Sequence, residues 1–331
     1  MDRVQLIFVQ RRKGEFWSLE GIFETVAEHL PAGFATKVLN VPALGGSSWV
    51  LWKNLLWSSR LRADVVHVTG DIHYVILALR SKPRILTIHD VRLIEEARGI
   101  RRFLLWLIWF YLPCRAADRL TVVSEATGKK LTQVARIPAE KIRVVPNPIS
   151  PNFQRVAKEW DGQRPILLHI GTTDNKNLDR VVEACAGLPV QLWILGRLND
   201  RQRRFVEESG VDWKGYCDLP WSEVAKLYQQ CDLVVFPSLY EGFGMPILEG
   251  QATGRPVLTS DRAPMREVAG GGALLVDPED TGSIRKGLER LLHEPELRAE
   301  LIRIGFENVK NYSPEAVAAQ YAAVYREVLG G

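Results

Sequence analysis

In this 331-residue chain, the residue types best suited to chemistry lie in one stretch, Pro237-Ser238-Leu239-Tyr240-Glu241-Gly242-Phe243-Gly244-Met245-Pro246-Ile247-Leu248-Glu249-Gly250. The apolar run at 233–236 predicts a strand that ends just before it. Glu241 falls in the following loop, where Gly242 and Gly244 let the backbone turn tightly. Pro246 suits the first turn of a helix, which puts Glu249 about one turn in. Backbone N–H groups at such a helix start can hold an anion such as a phosphate, and carboxylates accept hydrogen bonds from vicinal hydroxyls. Two carboxylates at the C-terminal edge of a parallel sheet sit where α/β proteins bind ligands. Together they make a site for a polyol attached to a phosphate. The same pattern also fits an ordinary strand-loop-helix with a capping Glu.

The elements that must position this stretch follow from hydrophobic periodicity. Short β-branched runs predict strands at 4–9, 36–41, 65–68, 85–88, 120–123 and 142–145, separated by helical patterns at 19–30, 48–60, 101–114 and 125–134. A Pro-rich break follows, Val145-Pro146-Asn147-Pro148-Ile149-Ser150-Pro151. The alternation then restarts, with strands at 166–170, 191–195, 233–236, 256–259 and 273–276 and helices between them. Two helices, 295–309 and 314–329, close the chain. Strands this short, alternating with helices, indicate parallel βαβ units covered on both faces. The expected fold is α/β, two Rossmann-like doubly wound domains in series, with no internal repeat.

Composition narrows the class. The chain is 46% hydrophobic and 25% charged, which excludes disordered, collagen-like and disulfide-scaffold chains. The longest apolar run, 103–113, is far shorter than a bilayer span. Cys114, Cys185, Cys217 and Cys231 are scattered without a Cys-x-x-Cys pair, so buried free thiols are expected rather than a zinc site. The apolar stretch 4–9 runs into Gln10, Arg11, Arg12 and Lys13 without a cleavage-site pattern, so a cytoplasmic location is expected. Residues 1–150 carry 22 Lys plus Arg against 13 Asp plus Glu, net +9, and the rest 21 against 26, net −5, which gives the overall +4. Six of the ten Trp fall in the basic half, which points to an anionic surface as partner. No nucleic-acid partner is expected.

Missing motifs also constrain the chemistry. The sequence contains no Gly-x-Gly-x-x-Gly, no P-loop around Gly128-Lys129-Lys130, no Gly-x-Ser-x-Gly and no Asp-x-Asp. His67 and His73 lack neighbouring ligands for a metal.

The pair Glu241 and Glu249 resembles the Glu-x7-Glu signature of retaining glycosyltransferases of the GT-B fold, in particular glycosyltransferase family 4. The similarity continues at Leu167-Leu168-His169-Ile170-Gly171 and Asn175-Lys176-Asn177-Leu178, which look like the family's phosphate loop. Further matches are Lys214-Gly215-Tyr216, Arg255-Pro256-Val257, Glu267-Val268-Ala269-Gly270-Gly271, Asp64-Val65-Val66-His67-Val68 and Thr87-Ile88-His89-Asp90. It covers roughly residues 60–330. The resemblance implies two domains facing each other across a cleft: an acceptor-side domain over 1–150, a nucleotide-sugar domain over 151–312, and a C-terminal helix over 313–331 that crosses back. It implies a nucleotide diphosphate sugar as donor, a UDP-hexose favoured over GDP-mannose, and a polysaccharide, lipopolysaccharide or lipid-linked glycan as acceptor. It implies no metal or other cofactor.

The resemblance also implies residue roles. Glu249 accepts hydrogen bonds from the ribose. Glu241, with the backbone of Phe243 and Gly244, holds the transferred sugar. Lys176 neutralises the diphosphate, and His89 lines the site near the reacting carbon. Gly171, Thr172, Thr173, Arg197, Leu219, Met245 and Pro246 complete the donor side; Asp71, His73, Arg11 and Arg12 are the acceptor-side candidates. Two departures stand out. Thr172 and Thr173 follow Gly171 where the family usually carries an Arg, with Arg11, Arg12 or Arg197 as substitutes, and the N-terminal Gly-Gly loop is replaced by a charged stretch from Gln10 to Glu20. A sugar-nucleotide epimerase, a phosphorylase of the same fold, and a weakly active membrane-associated scaffold remain as alternatives.

Two Trp-rich basic segments, 48–62 and 98–119, suit either a core helix packed on the sheet or a peripheral contact with an anionic membrane, such as the inner face of the cell membrane. Trp106 and Trp109 are the membrane candidates of the second.

Overall fold

The computed structural model describes residues 3–11 and 20–330. The chain forms two compact units, Met1–Pro148 with Ser313–Gly331, and Ile149–Tyr312.

In the first unit the elements run β1 (Val4–Gln10), α1 (Glu20–His29), β2 (Phe34–Asn40), α2 (Ser48–Ser58), β3 (Val65–Val68), a 3-10 segment (His73–Ala78), β4 (Arg84–Ile88), α3 (Arg92–Glu96), α4 (Gly99–Leu105), a π-helical segment (Trp106–Tyr111), α5 (Leu112–Ala116), β5 (Arg119–Val122), α6 (Glu125–Ala135) and β6 (Ile142–Val144). The six strands are all parallel, in the order β2-β1-β3-β4-β5-β6. Alternation along each strand feeds two cores. Ile7, Val9, Val66, Val68, Leu86 and Ile88 meet α2, the π-helical segment and α6 on one face, while Leu6, Phe8, Val65 and Ile85 meet α1 and the last helix on the other. That two-sided burial is why β3 reads as an unbroken apolar run apart from His67.

His67 is buried in the aromatic cluster of Phe8, Phe23, Tyr321 and Tyr325. Its ring nitrogens meet the Tyr325 hydroxyl at 2.9 Å and Thr87 Oγ1 at 2.7 Å. Burial pushes its pKa down to about 3, so the ring is neutral.

The second unit contains β7 (Ile166–Ile170), α7 (Leu178–Cys185), β8 (Gln191–Leu195), α8 (Asp200–Glu208), β9 (Asp212–Tyr216), α9 (Trp221–Gln230), β10 (Leu233–Phe236), α10 (Met245–Thr253), β11 (Val257–Ser260), α11 (Met265–Ala269), β12 (Leu274–Val276), α12 (Thr281–His293) and α13 (Pro295–Val309). Its strands are parallel in the order β12-β11-β10-β7-β8-β9. From β7 the chain steps outward to β8 and β9, then returns to β10 on the other side of β7. The last helix, α14 (Pro314–Leu329), belongs to the first unit. There Val317, Tyr321 and Tyr325 enter the core, and Glu327 accepts hydrogen bonds from Arg119 of β5 and Arg143 of β6.

Two expectations are corrected, and one alternative left open by the sequence is decided. β9 was not anticipated: its exposed Lys214 and its Gly215 carry no strand signal, and pairing with β8 imposes the conformation. Cys217 is exposed, because it falls in the turn after β9; the other three cysteines are buried. The membrane candidates Trp106 and Trp109 pack against the core, and their indole N–H groups donate to the carbonyls of Val134 at 2.7 Å and Asp71 at 3.0 Å. The exposed aromatic and aliphatic side chains of these segments are others: Trp49, Trp52, Leu56, Ile100, Phe103, Leu104 and Leu112.

Candidate functional site

Strand order places the site. In an open parallel sheet, the crevice lies at the C-terminal ends of the two strands whose connections leave in opposite directions. In the second unit those strands are β7 and β10, and the loops that follow them are 171–177 and 237–244.

The two loops are stitched together. Asn175 Nδ2 donates to the Tyr240 carbonyl at 2.8 Å, and the Leu239 N–H donates to the Asn175 carbonyl at 2.7 Å. Asn177, in the left-handed conformation with φ 64°, sends its buried amide to the carbonyls of Pro237 at 3.0 Å and Pro278 at 2.6 Å. Gly171 has φ +90°, and a Cβ there would lie 2.7 Å from Lys176 Cγ, so only glycine lets the lysine stem lie across this loop. Lys176 Nζ thereby reaches Glu241 Oε1 at 2.6 Å and sits 4.9 Å above the Phe236 ring. Both members of this ion pair are largely buried.

The loop ends at Gly244, whose φ of +113° turns the chain into α10. Met245 and Pro246 form the first turn, half-buried, while Phe243 is buried with its ring edge-on to Tyr312. Glu249 is only 3% exposed and accepts a hydrogen bond from the buried Tyr228 hydroxyl of α9. Burial pushes its pKa up to about 7, against the opposing pull of the Tyr228 hydrogen bond and of the Lys176 charge. It is a carboxylate poised to change charge near neutrality.

The neighbouring donor-side candidates are placed differently. The Thr172 hydroxyl donates to the Arg197 carbonyl at 2.7 Å, tying the loop after β7 to that after β8. Thr173 Oγ1 donates to Asn175 Oδ1 at 2.8 Å. Arg197 is not brought to Lys176; its guanidinium pairs with the exposed Asp218 at 2.6 Å. Leu219, half-buried, follows in the turn before α9. Sequence reasoning missed Tyr228 and the latching function of Asn175 and Asn177; the Asn-Lys-Asn triplet between strand and helix was the available signal.

In the first unit the corresponding crevice lies at the ends of β1 and β3. Arg11 follows β1 and lies 3.7 Å from Asp71, which follows β3. His89, just beyond β4, donates from Nε2 to the Thr69 carbonyl at 2.9 Å, and its buried Nδ1 has no partner. His73 donates from Nδ1 to the Trp109 carbonyl at 2.8 Å, with Nε2 buried and unpartnered; burial lowers its pKa. The buried Gln10 amide, at the end of β1, is also unpartnered. Buried polar atoms without partners are uncommon. Arg12 lies outside the described residues.

Among the described residues, no group of three or more His, Cys, Asp or Glu could hold a metal ion, and no helix is long and apolar enough to cross a membrane. A cavity of about 210 Å³ between Lys158, Trp160, Asp232 and Arg298 opens at the opposite edge of the second sheet. Its charges are already engaged, Lys158 with Asp232 and Arg298 over the Trp160 ring.

Comparison with known proteins agrees with this architecture. Residues 151–308 match the family "Glycosyl transferases group 1", and residues 8–153 match "Glycosyltransferase Family 4". The chain is similar to the O-antigen chain mannosyltransferase B of Escherichia coli, 28% identical over 227 residues, covering 63% of this chain and 55% of that protein. It is also similar to the MMP alpha-(1->4)-mannosyltransferase of Mycolicibacterium hassiacum, 30% identical over 230 residues, covering 64% and 54%. The match thus spans about half the length of these curated relatives. In fold it is similar to Anabaena Alr3699/HepE in complex with UDP and glucose, with a TM-score of 0.76 at 14% identity, over 98% of this chain and 100% of the other.

Proposed function

We propose, for a chain that belongs to the group 1 glycosyl transferases, transfer of a hexose from a nucleotide diphosphate sugar to a polysaccharide, lipopolysaccharide or lipid-linked glycan. The donor is a UDP-sugar such as UDP-glucose, the anomeric configuration is retained, and neither metal nor other cofactor takes part. The chain works in the cytoplasm at the inner face of the cell membrane. The observation that carries this is the Lys176–Glu241 ion pair held at the β7–β10 crevice beside the buried Glu249.

A diphosphate entering the crevice draws Lys176 away from Glu241. The freed Glu241 carboxylate then accepts hydrogen bonds from the sugar hydroxyls, and Glu249 accepts them from the ribose. As the bond from the anomeric carbon to the diphosphate oxygen breaks, charge grows on the leaving group, and Lys176 and the start of α10 stabilise it. The acceptor hydroxyl attacks from the face the diphosphate leaves. Its oxygen bonds to the anomeric carbon and its proton passes to the departing phosphate oxygen. Asp71, His73, Arg11 and Arg12 serve the acceptor side, and His89 lines the site near the reacting carbon.

A second reading of the donor, GDP-mannose, has support in the two relatives named mannosyltransferases. Calorimetric titration with UDP-glucose, UDP-galactose, GDP-mannose and ADP-glucose in excess chelator separates them. Binding by UDP-hexoses and not by GDP-mannose, followed by transfer with retained configuration seen by NMR, supports the proposal. Binding of GDP-mannose alone moves the donor to the second reading, and binding that requires a divalent cation overturns the metal-independent chemistry.

A further inference from the structure

The charges of the cavity at the N-terminal ends of β10 and β11 are engaged but not balanced. Its wall carries three cations, Lys158, Arg255 and Arg298, against one carboxylate, Asp232. Asp232 is buried and fully used: it pairs with Lys158 and accepts the backbone N–H groups of Ile166 at 2.8 Å and Asp161 at 3.4 Å. The two guanidinium groups meet only carbonyls. Arg255, 4% exposed, donates from Nε to the Tyr228 carbonyl at 3.0 Å and from Nη2 to those of Val156 and Gln229, both at 2.9 Å. Arg298 lies 3.9 Å over the Trp160 ring and donates from Nη1 to the carbonyls of Leu291 at 2.8 Å and Leu292 at 3.1 Å. Among the described residues neither arginine forms an ion pair, and Arg255 Nη1 and Arg298 Nε and Nη2 make no hydrogen bond.

A buried arginine without a carboxylate is rare. Four of the five carbonyls belong to the last turns of α9 and α12, so each arginine also caps a helix C-terminus. A helix end offsets roughly half a charge, so the two ends and Asp232 offset about two of the three positive charges. The acidic side chains nearest the wall in sequence, Glu159, Asp161 and Glu296, are exposed and act through screening solvent, and Asp161 is taken by the N–H groups of Gln163 and Arg164. Burial pulls the pKa of both arginines below the usual value, as it does for a charge left under-compensated. We infer that this cavity binds a small phosphate monoester. Two planar guanidinium forks and an ammonium present more donors than the two oxygens of a carboxylate can take, and a phosphate brings the further oxygen and charge. Pro256, Ala299 and Ile302 leave an apolar wall for a short organic group. The donor crevice is a different place, at the opposite ends of β7 and β10. These strands are five and four residues long, which separates the two sites by roughly 13–17 Å and lets each be tested without the other.

The test is NMR titration of the full chain with glycerol 3-phosphate, inorganic phosphate and acetate at constant ionic strength, following the indole N–H of Trp160, assigned with Trp160→Phe. The expected result is a saturable shift with both phosphates and little with acetate. Arg298→Gln weakens phosphate binding roughly 10- to 100-fold, through loss of charge-assisted hydrogen bonds, whereas Lys176→Gln, in the donor crevice, leaves it unchanged. Because Arg298 also caps α12, calorimetric melting checks that the variant stays folded. Arg298→Lys, which keeps the charge without the planar fork, gives a smaller loss with the same readout. A Trp160 signal unmoved by either phosphate, or a non-saturating response shared by acetate, would overturn the inference and leave the two arginines as helix caps alone. So would binding that Lys176→Gln abolishes and Arg298→Gln spares, since the anion would then sit in the donor crevice.

Discussion

Replacing Glu249 by Gln isolates what it costs this protein to keep a carboxylate inside α10. The side chain is buried, and its pKa stands at about 7 against an ordinary 4.5. A group whose folded-state pKa is raised is most favourable to the fold below pH 4.5, and that advantage is lost as pH rises through 7. The interval corresponds to about 3 kcal/mol, at 1.36 kcal/mol per tenfold change in proton affinity. Gln keeps the shape and an oxygen for the Tyr228 hydroxyl but cannot ionise. At pH 4.5 the two proteins should therefore melt within a degree or two of each other. At pH 8 the variant should be more stable by about 3 kcal/mol, roughly 6–12 °C in the melting of a unit this size. Scanning calorimetry at intervals from pH 4.5 to 8 measures the difference. A gap that stays flat with pH, or a variant less stable at pH 8, refutes the account of Glu249 as a carboxylate held in the core against its solvation. The same variant should lose donor affinity, because a neutral amide is a weaker acceptor for the ribose hydroxyls than a carboxylate.

Three further outcomes are expected. Binding of a UDP-sugar should favour the charged form of Glu249 and release a proton near pH 6.5, seen as a calorimetric heat that varies with the ionisation enthalpy of the buffer and does not in Glu249→Gln. Glu249→Ala should raise the donor KM about 10- to 100-fold, whereas Glu241→Ala should chiefly lower kcat and leave UDP affinity equal or tighter, since Lys176 no longer has an internal partner; steady-state kinetics showing the reverse split would exchange the two roles. Asn177→Ala should cost about 2–4 kcal/mol in urea unfolding, from the left-handed backbone and two carbonyls left without partners, and Asn177→Gly should recover the backbone part of that loss.

The spacing of Glu241 and Glu249 was legible in the sequence because both lie in one strand-loop-helix segment, where Gly244, Pro246 and the helical repeat set geometry locally. The α/β alternation was legible for the same reason: strands buried on both faces write their burial into consecutive residues such as Val65–Val68. Tertiary structure decided whatever depended on distant neighbours. Lys176 and Glu241 are 65 positions apart and Tyr228 and Glu249 are 21 apart, so neither the ion pair nor the raised pKa follows from local pattern. β9 became a strand through its pairing with β8. The Trp-rich segments show the division most plainly. Their composition allowed a core helix or a membrane contact, and packing split them: Trp106 and Trp109 went against the sheet, and Trp49, Trp52 and Phe103 went outward. Which face of a helix meets the core is set by the partner it packs on, and an aromatic-rich helix carries apolar groups on more than one face for that partner to choose from.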